Sequence, residues 1–171
     1  MKQTFTTLSL TALLLMLTAC GTPRAGLQAE YPPAQRSTFS LFADFAQVET
    51  LTPTLRWQTI GQVLMEKNER KLTLSELTDI TFELRIWETA TDYSGNLVYS
   101  RTGIKTPYHT LEEPLYPNSK FLWSVRAHFT TEGKKRISEW GMTGFLLQEE
   151  PVPNPSCFRF KTPQQKQLNS R

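Results

Sequence analysis

The sequence predicts an all-β fold, a single β-sandwich of two packed sheets. Two observations point there. Phe82, Leu84 and Ile86 alternate with Thr81, Glu83 and Arg85, and Phe121, Trp123, Val125, Ala127 and Phe129 alternate with Leu122, Ser124, Arg126 and His128. Period two over that length marks strands with one face turned inward. Turn-forming residues stand between such runs, Tyr93-Ser94-Gly95-Asn96 and Thr131-Glu132-Gly133, and short strands divided by turns build sandwiches. Four Trp, five Tyr and ten Phe supply enough bulk for a core.

The elements follow in chain order. Lys2 gives a short positive region, and residues 8–17 form an apolar run. The run is too short for a membrane span, which needs ~20 residues. It has the length of a signal-peptide core, so residues 1–19 are expected to be a leader. Residues 20–44 hold Pro23, Pro32 and Pro33 with few large apolar side chains, and read as a flexible linker. Leu55 and Trp57 flank Arg56 as on a strand. A helical patch is expected at residues 73–79. The connection over residues 61–79 is long against the ~4–6 residues usual in compact domains, and is where specialisation is expected. Residues 150–171 contain Pro151, Pro153, Pro155 and Pro163 and a Gln-rich end. They read as an irregular, largely disordered tail, from which Phe158 and Phe160 can dock on a domain of residues 45–149.

Leu17-Thr18-Ala19-Cys20 after the apolar run resembles the lipobox of bacterial lipoproteins. The resemblance implies cleavage before Cys20 and a lipid on its thiol, with enough acyl chains for stable anchoring. The residue after the Cys is Gly21. In Gram-negative lipoproteins an Asp there retains the protein in the inner membrane, so the resemblance implies the outer membrane if the organism is Gram-negative.

Thr52-Pro53-Thr54-Leu55-Arg56-Trp57 is similar to the second strand of fibronectin type III domains. The run from Leu115 through Pro117 and Phe121 to Ala127 resembles that family's sixth strand and the turn before it. Ser138-Glu139-Trp140 falls where the family often has a Trp before its last strand, here residues 143–148. The resemblance covers residues 45–149 and implies an immunoglobulin-like sandwich. One departure is Phe121, where the family usually has a Tyr whose hydroxyl bonds back to the backbone. That hydrogen bond, worth ~1 kcal/mol, is lost here.

Charge and cysteines exclude several classes. Nineteen basic against sixteen acidic residues, a net charge of +3, is no footprint for nucleic acid, which needs a concentrated basic face. Cys20 and Cys157 are the only cysteines. With Cys20 acylated, no internal disulfide or cysteine metal site can form, and Cys157 reads as a small buried hydrophobe. The two histidines, His109 and His128, sit in no metal-binding spacing, and no Gly-rich phosphate loop occurs. No cofactor and no enzymatic activity are expected.

Binding candidates remain. Arg85 and Arg126 occupy outward positions on strands that are neighbours in the resembled fold. Trp87 shares the face of Arg85, and Trp140 follows close by. These four read either as a surface ladder or as an Arg-bearing aromatic face for a partner, since Arg and Trp are enriched at binding hot spots. A second candidate is a basic pole of two loops, Lys67, Arg70 and Lys71 with Lys134, Lys135 and Arg136. It reads as solvated surface or as a contact for anionic headgroups. The expected function is a membrane-tethered, non-catalytic module of the bacterial envelope with another envelope protein as partner. Binding of a carbohydrate or cell-wall polymer is the alternative.

Overall fold

The computed structural model describes residues 26–34, 44–66, 77–90, 95–142 and 157–164. Its strands are β1 (Ala29–Tyr31), β2 (Ala46–Gln47), β3 (Thr54–Trp57), β4 (Thr78–Thr89), β5 (Asn96–Ile104), β6 (Tyr108–Thr110), β7 (Lys120–Thr131), β8 (Lys134–Ile137) and β9 (Phe158–Lys161), with one helix, α1 (Ile60–Glu66). They form two sheets in an all-β sandwich, as the alternation predicts. The smaller sheet has the order β1-β3-β6. The larger has the order β2-β9-β7-β4-β5, with β8 also paired to β7. Every pairing is antiparallel except that of β2 with β9.

The core forms where the inward faces meet. Phe82, Leu84 and Ile86 of β4 and Phe121, Trp123, Val125, Ala127 and Phe129 of β7 all lie in it. From the small sheet, Leu55 and Trp57 pack onto them. The Trp57 ring lies 5.5 Å from Phe82, edge-on, and 6.4 Å from Trp123. Two tryptophans, one from each sheet, thus close the centre of the sandwich.

The linker and the tail are not as the composition implies. Leu27 is fully buried and Ala29–Tyr31 forms β1 against β3. Cys157, Phe158 and Phe160 are buried, and Phe158–Lys161 forms β9 against the first half of β7. Phe158 packs on Trp123 with centroids 4.9 Å apart, and Phe160 stacks on Phe121 at 5.3 Å. Prolines nearby do not prevent a three- or four-residue strand when its side chains fill the core. The sandwich therefore draws on residues beyond 45–149 at both ends. The last strand expected at residues 143–148 lies outside the described residues.

A helix forms earlier in the chain than the expected patch. It runs over Ile60–Glu66; residues 73–76 of the expected helical patch lie outside the described residues, and Thr78 and Asp79 open β4. Thr59 and Gln62 explain its start. The Gln62 amide donates to Thr59 Oγ1 at 3.3 Å, and the Thr59 amide donates to Gln62 Oε1 at 2.6 Å. This reciprocal pair satisfies two otherwise orphaned donors at a helix N-terminus. Ile60 and Val63 bury its inner face.

Two turns position β7. Before it, Thr162 supplies the hydroxyl that Phe121 cannot. Thr162 Oγ1 donates to the Tyr116 carbonyl at 2.7 Å and accepts from the Ser119 amide at 3.0 Å. After β7, Glu132 (φ 48°) and Gly133 (φ 69°) make the two-residue turn with both central φ positive that suits the twist of a hairpin. Lys134, Lys135 and Arg136 consequently belong to strand β8, not to a loop.

Trp57→Ala should cost ~3–5 kcal/mol, the range for large aromatic truncations in a core, and so leave the domain unfolded or nearly so in a thermal melt. Truncation after residue 156 removes β9. It should abolish the cooperative melt as well, because two buried Phe are worth ~1.5–3 kcal/mol each and their loss also opens Phe121 and Trp123 to water. A truncated chain melting like the full one would refute the role given to β9.

Candidate functional site

The face of β4 and β7 turned away from the core carries most of the predicted binding residues. Pairing sets Glu83 beside Arg126, Arg85 beside Ser124 and Thr81 beside His128. The carboxylate of Glu83 is the hub. Arg126 donates to Oε2 through Nε and Nη2, both at 2.8 Å. Arg85 donates to Oε1 through Nε at 3.1 Å and Nη2 at 2.8 Å. His128 Nε2 lies 3.1 Å from Oε2. Both guanidinium carbons sit over the Trp140 ring, Arg126 at 4.4 Å and Arg85 at 4.9 Å from its centroid.

Trp140 is held there by its neighbours. Ser124 Oγ donates to the Gly141 carbonyl at 2.7 Å, and the Gly141 amide donates to the Val125 carbonyl at 2.8 Å. The N-terminal segment presses on the same stretch. A Cβ on Gly26 would lie 2.0 Å from the Trp140 carbonyl oxygen, and one on Gly141 would lie 2.3 Å from that of Leu27. Two backbones cross at a distance only glycine permits.

Glu83 is 5% exposed. Burial alone pushes its carboxyl pKa up, but the hydrogen bonds from Arg126, His128 and Arg85 outweigh it and hold the group below the ordinary 4.5. The site is therefore an ionised carboxylate clamped by two guanidinium groups under an indole.

The predicted residues part company here. Arg85, Arg126 and Trp140 meet, but on Glu83, which the sequence reading did not single out. Its signal was present: an acid on the same strand face as Arg85. Trp140 is 3% exposed, so it offers no open surface. Trp87, 4% exposed, packs instead with Leu122, Cys157 and Phe45 in a second apolar cluster. The open aromatic face expected from Arg85, Trp87, Arg126 and Trp140 is thus closed over by residues 140–142 and Cys157. Lys134, Lys135 and Arg136 are spread along β8, opposite Thr131, Thr130 and Phe129, so successive members point to opposite faces. Lys67, Arg70, Lys71 and the lipidation candidate Cys20 lie outside the described residues. Among the described residues no three His, Cys, Asp or Glu stand together as metal ligands.

A second polar cluster bridges the sheets. Tyr99 Oη of β5 lies 2.5 Å from His109 Nε2 of β6. Glu112 stands 3.5 Å from the same hydroxyl and pairs with Arg101 at 3.2 Å. Burial lowers the His109 pKa, Glu112 raises it and Arg101 lowers it, with a net fall. Burial and Glu112 raise the Tyr99 phenol. Both shifts favour the neutral forms of the two side chains.

The third cluster lies on the outer face of the small sheet. Tyr31 pairs with Arg56, and Arg56 pairs with Tyr108. Ala29, opposite Trp57, packs on the core, and a register irregularity after it sets the exposed Tyr31 opposite Arg56, so Tyr31, Arg56 and Tyr108 form one row across β1, β3 and β6. Tyr31 is 37% and Tyr108 48% exposed, and Arg56 is exposed between them. In the next row Thr54 Oγ1 and Thr110 Oγ1 hydrogen-bond at 2.7 Å. This row was missed because Tyr31 fell in the segment read as linker, and because register across three strands is not written in any one of them.

Comparison of the sequence with protein-family models and with curated proteins gives no match.

Glu83→Gln should destabilise the domain by ~3 kcal/mol at pH 7, the order for breaking a buried ion pair. Because its folded pKa is lowered, Glu83 contributes stability above the ordinary carboxylate value of 4.5, and the contribution is lost as pH falls through the lower folded value. Urea titrations of wild type and variant should differ most at neutral pH, and the difference should shrink as the pH falls below 4.5. A constant difference across that range would contradict this account of the clamp.

Proposed function

We propose that this chain is a non-catalytic binding module of the bacterial cell envelope, tethered to a membrane by a lipid on Cys20. The observation that carries the reading is the Tyr31–Arg56–Tyr108 row. Tyr and Arg are among the residues that dominate binding energy, and here they stand exposed in a line. The other two polar clusters are engaged within the protein, Glu83 by its guanidinium groups and Tyr99 by His109.

The tether rests on Leu17-Thr18-Ala19-Cys20 behind an apolar run, and Gly21 favours the outer membrane of a Gram-negative cell. The fibronectin type III reading draws support from topology. That family pairs its first, second and fifth strands in one sheet, as β1, β3 and β6 pair here. The larger sheet, with β5, β4, β7 and then β8 and β9, follows the order of the family's other sheet, and β2 is added to it in parallel beside β9. The hot-spot character of the row suits another envelope protein as partner. A wall polymer is the second reading, favoured by the row's dimensions.

The position of β1 changes the tether. Leu27 is already buried, so only about six residues separate it from Cys20, and they can span at most ~20 Å. The module is held close to the lipid.

Cys20→Ser should leave uncleaved precursor, take up no palmitate analogue and lose stable anchoring in membrane fractions. Wild type that incorporates no label would remove the tether from the reading. Capture of envelope partners by wild type and by Arg56→Glu tests the row, and a captured set unchanged by the variant would remove it.

A further inference from the structure

We infer that the Tyr31–Arg56–Tyr108 row is a platform for an extended glycan that bears carboxylates. The inference rests on the tethered-module reading and names its partner class.

Dimensions argue first. The small sheet has three strands of three or four residues, a face roughly 14 Å by 10 Å. A standard protein interface needs ~800 Å² from each partner, several times that area. A single polymer strand fits within it.

Spacing argues next. Tyr31 and Tyr108 stand two strands apart, about 10 Å. Alternate sugars of an extended β-linked glycan repeat on that scale and turn the same C–H face to one side. Each half-exposed phenol ring can carry one such face, presenting an apolar body and a polar tip. The sugar between them then lies over Arg56.

Charge selects among glycans. Among the described residues Arg56 has no ion-pair partner, whereas Arg85, Arg101 and Arg126 all have one. A guanidinium presents a planar fork that matches a carboxylate. A carboxylate carried by the middle sugar, directly or through a short side chain, completes it with charge-assisted hydrogen bonds. The Thr54–Thr110 pair borders the row, and one of its two hydroxyl protons remains available to a sugar oxygen.

The test uses the full lipidated chain in detergent, sedimented with three insoluble polymers: peptidoglycan, peptidoglycan with its carboxylates amidated, and chitin as the neutral glycan. The chain should pellet with native peptidoglycan and much less with the other two. Tyr31→Ser and Tyr108→Ser should each weaken binding by about tenfold, the order expected for losing one aromatic contact. Tyr108→Phe should retain it. Arg56→Gln should bind native and amidated polymer equally weakly. Unchanged thermal melts would show that these surface variants are folded. No pelleting with native peptidoglycan, equal pelleting with chitin, or binding indifferent to all three side chains would each overturn the inference. Cross-linking of the same variants in cells separates it from the parent reading. A protein partner lost with the row but no polymer binding would leave the tethered module standing and the glycan platform refuted. Loss of neither would refute both.

Discussion

The pairing of β7 on both its edges is the constraint on which everything else depends. One edge meets β4 along almost the whole strand, and the other is divided, β9 on its first half and β8 on its second. Its inward residues reach the small sheet through Trp123 and Trp57. Its outward residues hold Arg126 and His128 against Glu83. A change that slides β7 by one residue would exchange these two sets, since side chains alternate faces.

The clamp on Glu83 gives that register a penalty for error. A buried ion pair adds little net stability over an apolar equivalent, but separating its members leaves a charge stranded in a dry site. Slippage of β7 would turn Arg126 towards Phe82 and Leu84 and leave the carboxylate alone under Trp140. The two arginines over one indole bind residues 140–142 to the sheet through the same event. Electrostatics here specify which arrangement forms, while the aromatic core supplies most of the free energy that forms it.

Legibility in the sequence followed the length of the pattern. The twelve residues of β4 and of β7 carry enough alternation to show both the strands and the inward placing of Trp123. Strands of three or four residues carry almost none, so β1 and β9 were hidden under the prolines around them. The helix was marked by Thr59 and Gln62, a capping pair that a search for apolar periodicity passes over. At the candidate sites, Arg85 and Arg126 were legible because they interrupt an apolar alternation. Glu83 was not, because its meaning lies in the two strands it joins. The Tyr31–Arg56–Tyr108 row joins segments far apart in the chain and exists only once three strands are in register.

The placing of β9 has a consequence for the order in which the chain can fold as it is made. Residues 158–160 fill core space that borders Phe121 and Trp123, and Thr162 fastens the turn before β7. A chain emerging from its N-terminus therefore keeps its interior open until these residues have followed, some 130 residues after β1. Contacts of such long sequence separation form slowly. Under the proposed export, a core that stays open until β9 has followed keeps the chain in the extended state that threading a membrane needs.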